Sequence, residues 1–223
     1  MSVPKTRPVS EPELQRLTEA CRKVGPPQGT YGASTFENDF LGEVMSTVLD
    51  LQMRGVVVAT SIQHFRELRQ AEVRTLEDLD AALARYPDDR EGNRQAAQFL
   101  WGNNLWTRVR WLRGFVRFLL DEGLTDHRAL LDWAQDAQFR RDFAGRAKFL
   151  GIATFQSIRM RLGIDTVKPD VHLRRFVEPV VGHSISDEEL IRVIEEAASR
   201  LGVPAQHLDL ALWEYQRGRP GTI

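Results

Sequence analysis

Two stretches decide the reading of this chain, Phe149-Leu-Gly-Ile-Ala-Thr-Phe155 and Val167-Lys-Pro-Asp-Val-His-Leu-Arg-Arg-Phe176. In the first, Gly151 separates a helical pattern ending near Phe149 from a new one starting at Thr154, so residues 150–153 read as a tight hairpin between two helices. The start of the second helix presents backbone N–H groups with no intrahelical acceptor, where a phosphate can sit without any base being read. Lys148 and Arg146 stand just before it. The same residues also suit an ordinary helix–turn–helix joint with Gly151 as a C-cap. In the second stretch Asp170 follows Pro169 and precedes the amphipathic run Val171, Leu173, Phe176, Val177 and Val180, the place of an N-cap aspartate. A carboxylate fixed there among basic residues also has the charge and rigidity to stabilise an oxocarbenium-like sugar or to orient an attacking water. His172 and Arg175, three residues apart, share a helix face and can support it, although a histidine there also suits plain packing.

Outward from these stretches the periodicity is helical almost everywhere. Phe40, Leu41, Val44, Met45, Val48 and Leu49 follow the i, i+3, i+4 spacing of a buried stripe, as do Val109, Leu112, Phe115, Val116, Leu119 and Leu120. Ser10-x-x-Glu13, Thr75-x-x-Asp78 and Ser186-x-x-Glu189 are capping-box patterns that each open an apolar run. Further helices are expected near 57–70, 92–101, 127–136, 139–149, 154–162, 171–180 and 204–217. Val56-Val57-Val58 is the one β-branched cluster and lies between helical patterns. Gly25-Pro26-Pro27, Tyr86-Pro87-Asp88-Asp89 and Gly163 mark joints. The expected fold is all-α, one many-helix domain over 1–223 that divides into two lobes, about 40–135 and 1–39 with 136–223.

The chain has 223 residues, with 30 Lys+Arg against 31 Asp+Glu, a net charge of −1. That balance hides its distribution. Residues 138–177 carry nine basic side chains against three acidic, a local charge of +6, and Arg108, Arg110, Arg113 and Arg117 form a second basic run with no acid between Asn103 and Leu120. Together they can make one electropositive face for a phosphate backbone inside an acidic surround. The single cysteine, Cys21, excludes an internal disulfide, a four-thiolate zinc site and an iron–sulfur cluster, and fits a reducing, cytoplasmic setting. No apolar run approaches the roughly 18 residues of a membrane span. There is no His-Glu-x-x-His, no phosphate-binding Gly-x-x-x-x-Gly-Lys-Ser/Thr and no nucleophile elbow, and the five histidines are scattered singly, so no metal or cofactor is expected.

The pairing of Leu150-Gly-Ile-Ala153 with Pro169-Asp-Val-His-Leu-Arg-Arg175 resembles the helix-hairpin-helix DNA glycosylases, the superfamily of endonuclease III, adenine mismatch glycosylase and the alkylpurine glycosylases. There the hairpin reads roughly Leu-Pro-Gly-Val-Gly and the aspartate opens an Asp-Thr-His-Val-x-Arg-like string. Upstream, Thr47-Val-Leu-Asp-Leu-Gln52 is similar to the family's Leu-Leu-Ser-x-Gln element, and Asn104-Leu-Trp-Thr-Arg108 to its Asn-x-Lys-Ala helix, so the likeness spans about 40–180. Three departures matter. The Schiff-base lysine of the lyase members would fall on Phe155, the iron–sulfur loop is missing, and the hairpin's second glycine is Ala153, which costs on the order of 1 kcal/mol if that residue needs a positive φ.

The resemblance implies a monofunctional base-excision repair glycosylase, cytoplasmic or nucleoid-associated in a bacterium. Its partner is duplex DNA carrying a damaged or mismatched base, which must be rotated out of the stack for its glycosidic bond to be hydrolysed. Asp170 is then the catalytic carboxylate, with His172 and Arg175 in support. Lys148, Leu150, Gly151, Ile152, Ala153 and Thr154 hold the DNA backbone, and Gln52 fills the space of the flipped base. Trp101, Trp106, Trp111, Trp133 and Trp213 are stacking candidates, though most suit a core. The rival readings are a non-catalytic helix-hairpin-helix DNA-binding protein and a helical protein-interaction domain.

Overall fold

A computed structural model describes residues 7–29, 36–51 and 53–218. The described residues form eleven α-helices and no strand. No helix among them is long and apolar enough to cross a membrane. The chain divides into two compact units, Met1–Ala33 with Arg159–Ile223, and Ser34–Ile158.

The continuous unit holds α2 (Phe40–Leu49), α3 (Gly55–Leu68), α4 (Leu76–Ala84), α5 (Arg90–Trp101), α6 (Trp106–Asp121), α7 (His127–Asp136) and the start of α8 (Ile152–Arg161). Its axis is α6, which packs against α2, α4 and α5. The stripe Val109, Leu112, Phe115, Val116 and Leu119 is wholly buried there, each side chain contributing about 2 kcal/mol by leaving water. Short acceptors fix the helix starts. Asp39, Thr75, Asp89 and Asp126 accept from the backbone N–H groups of Gly42, Asp78, Gly92 and Ala129. Val56, Val57 and Val58 lie inside α3, so their β-branching yields to the packing around Ile62 and Phe65.

The helix expected over 139–149 does not form. Phe139–Phe143 makes one π-helical turn, closed by the Ala144 N–H to the Phe139 carbonyl at 2.7 Å. Gly145, at φ 76°, then turns the chain away. Packing selects the wide turn, because Phe143 is completely buried in a cluster of rings. Its centroid lies 5.3 Å from Phe118 and 5.5 Å from Phe155, and Trp133 meets Phe155 edge-on at 6.0 Å.

The split unit contains α1 (Glu11–Val24), the end of α8, α9 (Val171–Val181), α10 (Asp187–Leu201) and α11 (Ala205–Arg217), with α1 packed against α9, α10 and α11. Leu14, Leu17, Leu173, Val177, Leu190, Ile194, Leu208 and Leu212 fill its core. Both the N–H and the hydroxyl of Ser10 donate to Glu13. At Ser186 only half of the capping box is present. The Ser186 hydroxyl accepts from the Glu189 N–H at 3.1 Å, but the Glu189 carboxylate goes to the Val9 N–H and to Arg192. Cys21 is buried beneath this core, and burial pushes its thiol up to about 12.

Candidate functional site

The hairpin of the continuous unit differs from its expected geometry at one telling residue. Helix α8 begins at Ile152, with the Gly151 carbonyl accepting from the N–H groups of Thr154 at 3.0 Å and Phe155 at 3.1 Å. Ala153 is therefore inside the helix and needs no positive φ. The left-handed residue is Phe149, at φ 69°, the one non-glycine of that kind among the described residues. Its ring is half exposed, and the Arg110 guanidinium lies 4.5 Å from its centroid.

Gly114 of α6 lets this loop come close, since a Cβ there would lie 3.3 Å from that of Lys148. Lys148 and Gly151 are exposed, Leu150, Ile152 and Thr154 are buried, and Ala153 is intermediate. Leu150, Ile152 and Thr154 thus hold the hairpin, whereas the Lys148 side chain is exposed. Phe155, where the resemblance to the glycosylases would place a lysine, is 2% exposed in the ring cluster. Gln52 lies outside the described residues.

The basic stretches are thinner in space than in sequence. Arg108 is buried, reaches the Leu51 carbonyl and stacks on Trp111; desolvation draws its pKa down. Arg113 binds the Asn93 amide oxygen and the Tyr86 carbonyl, both at 2.8 Å. Arg141 pairs with Asp142, Arg146 with Glu122, and Arg174 with Glu178 and Asp187. Arg117, Lys148 and Arg175 stay exposed with no carboxylate in ion-pair range among the described residues. Two of the five tryptophans are structural as well: Trp101 is buried with its N–H on the Met45 sulfur, and Trp133 belongs to the ring cluster.

In the split unit Asp170 caps α9 from an extended backbone, φ −109° and ψ −179°. Both bonds fall on one oxygen: Oδ1 accepts from the His172 N–H at 2.8 Å and the Leu173 N–H at 3.0 Å. Oδ2 takes no hydrogen bond from a described residue, and the side chain is half buried. The carboxylate is thereby held in position with one oxygen left for a proton or a developing cation. His172 turns its ring to α11, 6.2 Å from Trp213 at 70°, with its buried Nδ1 unpartnered, while Arg175 is exposed.

Sequence reading passes over one acid beside them. Asp209 of α11 is 4% exposed, and its Oδ2 accepts from the Lys168 N–H at 3.0 Å. Burial, reinforced by the charge of Asp170, raises its carboxyl to about 7. The signal was available, because Asp209 sits in Leu208-Asp-Leu-Ala-Leu212 on the buried stripe with Ala205, Leu212 and Gln216. Phe149 had no such signal, since nothing in its neighbours requires a left-handed backbone.

Among the described residues the class so defined is an all-α protein with a tight interhelical hairpin in one unit and a helix-capping aspartate in the other. Residues 113–217, just under half of the chain, match a family model described as Domain of unknown function (DUF8548). Comparison with curated proteins gives no match, and comparison with solved structures gives none.

Proposed function

We propose that this chain is a monofunctional DNA glycosylase-like protein of base excision repair, which binds duplex DNA and hydrolyses the N-glycosidic bond of a damaged or mismatched base. The observation that carries this reading is Asp170, with Oδ1 fixed by two N–H groups of α9 and Oδ2 left unbonded. In the proposed reaction the C1′–N bond breaks, and positive charge grows on the sugar beside this carboxylate. Water then attacks C1′ and gives its proton to Oδ2, while the departing base leaves with the bonding pair and takes a proton from solvent. Water is the nucleophile in this scheme because Phe155 offers no amine. Lys148 and the N–H groups of Ile152 and Ala153 would hold a backbone phosphate.

The test is base release from a panel of lesion-bearing and mismatched duplexes. Wild-type protein should release at least one base and leave an intact abasic strand, and Asp170→Asn should lower the rate by about 100-fold or more. Full activity in Asp170→Asn, or no release from any duplex, overturns the proposal. Tight binding to an abasic duplex without turnover would favour the non-catalytic DNA-binding reading. Binding that is absent even at low salt would favour a protein-interaction domain.

A further inference from the structure

Asp209 and the segment that carries Asp170 belong to the same unit and meet through one backbone bond. The Lys168 N–H, two residues before Asp170, donates to Asp209 Oδ2 at 3.0 Å. One turn further along α11, Trp213 receives the ring of His172 at 6.2 Å. Helix α11 thus grips both flanks of the capping aspartate, through Asp209 before it and Trp213 after it. We infer that Asp209 is the positioning residue of Asp170: its buried carboxyl holds the 168–170 segment in place and keeps its proton, so that Asp170 alone carries negative charge at the head of α9.

Two carboxylates that share one buried neighbourhood do not both ionise easily, and the more buried one keeps the proton. Asp209 is the more buried, at 4% exposure against the half-buried Asp170. The charges that act on it are Lys168, which favours ionisation, and Asp170, which opposes it. Among the other charged groups of the packed elements, Arg175 of α9 is exposed and several are engaged elsewhere. Asp165 accepts from the N–H groups of Ala205 and Gln206, Glu195 of α10 from Thr166, Glu13 of α1 from Arg7 and Ser10, and Glu214 of α11 from Gln28 and Gly29. His172 turns to Trp213, and His207 is exposed. Loss of the proton would place a second charge beside Asp170 and weaken its hold as the cap.

Whether Asp209 keeps its proton is independent of the glycosylase reading, whereas its effect on base release rests on that reading. The first measurement is therefore a carbon-13 and nitrogen-15 NMR titration of the full chain. The Asp209 carboxyl should titrate near neutral pH, and the amide shifts of Lys168, His172 and Leu173 should move with the same midpoint. In Asp209→Asn those amide transitions should vanish. Titration of Asp209 in the ordinary carboxylate range, or amides indifferent to it, overturns the inference even if the variant fails to fold. In base release, the wild-type rate should fall as Asp209 ionises and Asp209→Asn should lose that limb. Asp209→Ala, which removes the acceptor of the Lys168 N–H, should lower turnover by about tenfold or more at every pH. An unaltered wild-type profile in Asp209→Asn removes the positioning role. A wild-type protein that releases no base overturns the glycosylase reading alone, and the amide titration still decides Asp209.

Discussion

At the scale of single residues, the two most informative side chains are those held against their own preference. Phe149 adopts a left-handed backbone that costs a non-glycine residue about 1 kcal/mol, yet its ring is half exposed beneath Arg110 and returns little of that through burial. Asp209 is the stronger case, because its cost can be measured as a function of pH. Its carboxyl is raised by burial from 3.8 to about 7, so the folded state binds a proton that the unfolded chain has already released. Below pH 3.8 both states are protonated and no stability is lost. Between there and about pH 7 the unfolded chain ionises while the folded chain does not, so stability falls as pH rises, by about 4 kcal/mol in total. Above that pH both are ionised and the loss is constant. Urea unfolding at half-unit steps from pH 4 to pH 8 should show this decline in the wild type and a flatter curve in Asp209→Asn. Equal slopes in the two proteins would mean that Asp209 ionises normally.

At the scale of elements, the region around α8 shows what local pattern conveys and what it does not. Helix α7 forms over the expected span 127–136, and α9 is legible from Asp170 and its apolar stripe. The segment 139–149 also has a helical period, but its outcome is decided by Phe118, Trp133 and Phe155, which come together with Phe143 only in the folded chain. Tertiary packing overrode local spacing there. The chemical character of the site divides in the same way. Asp170 is legible because a cap needs only its next three residues, while the proton on Asp209 depends on burial that only the folded chain supplies, with the charge of Asp170, 39 positions away, adding to it. The ring cluster also bears on the proposed lack of lyase chemistry. Phe155→Lys would set an ammonium among Trp133, Phe139 and Phe143 in a 2% exposed position. The cavity and the buried charge together should cost about 4 kcal/mol or more and yield no strand cleavage. Thermal unfolding and a borohydride-trapping assay on an abasic duplex check both parts. A stable variant that traps DNA would show that the ring is dispensable and that the site accepts a lysine.

At the scale of the whole molecule, the question is how many positive charges are left for a phosphate backbone once the protein has used its own. The two basic stretches, 138–177 and the run from Arg108 to Arg117, hold thirteen Lys and Arg residues. Arg108 and Arg113 are committed to backbone and amide oxygens, and Arg141, Arg146 and Arg174 to carboxylates. Arg159 and Arg161 are partly withdrawn from water, which draws both pKa values down, the second to about 10, and Arg140 and Lys168 are engaged within the protein as well. Arg117, Lys148 and Arg175 remain without an ion-pair partner among the described residues, and Arg110 has only the face of Phe149. Each phosphate neutralised releases counterions and adds about −0.9 to the slope of log K against log salt. Thirteen contacts would give a slope of about −12, whereas the cations left over give about −3 to −4. Duplex binding followed by fluorescence anisotropy from 50 to 300 mM KCl should therefore show the shallow dependence, with Lys148→Ala reducing the slope by about one and Arg141→Ala leaving it unchanged. A slope near −12 would mean that the internal ion pairs open on DNA, and a slope near zero would remove nucleic acid as the partner of this charge distribution.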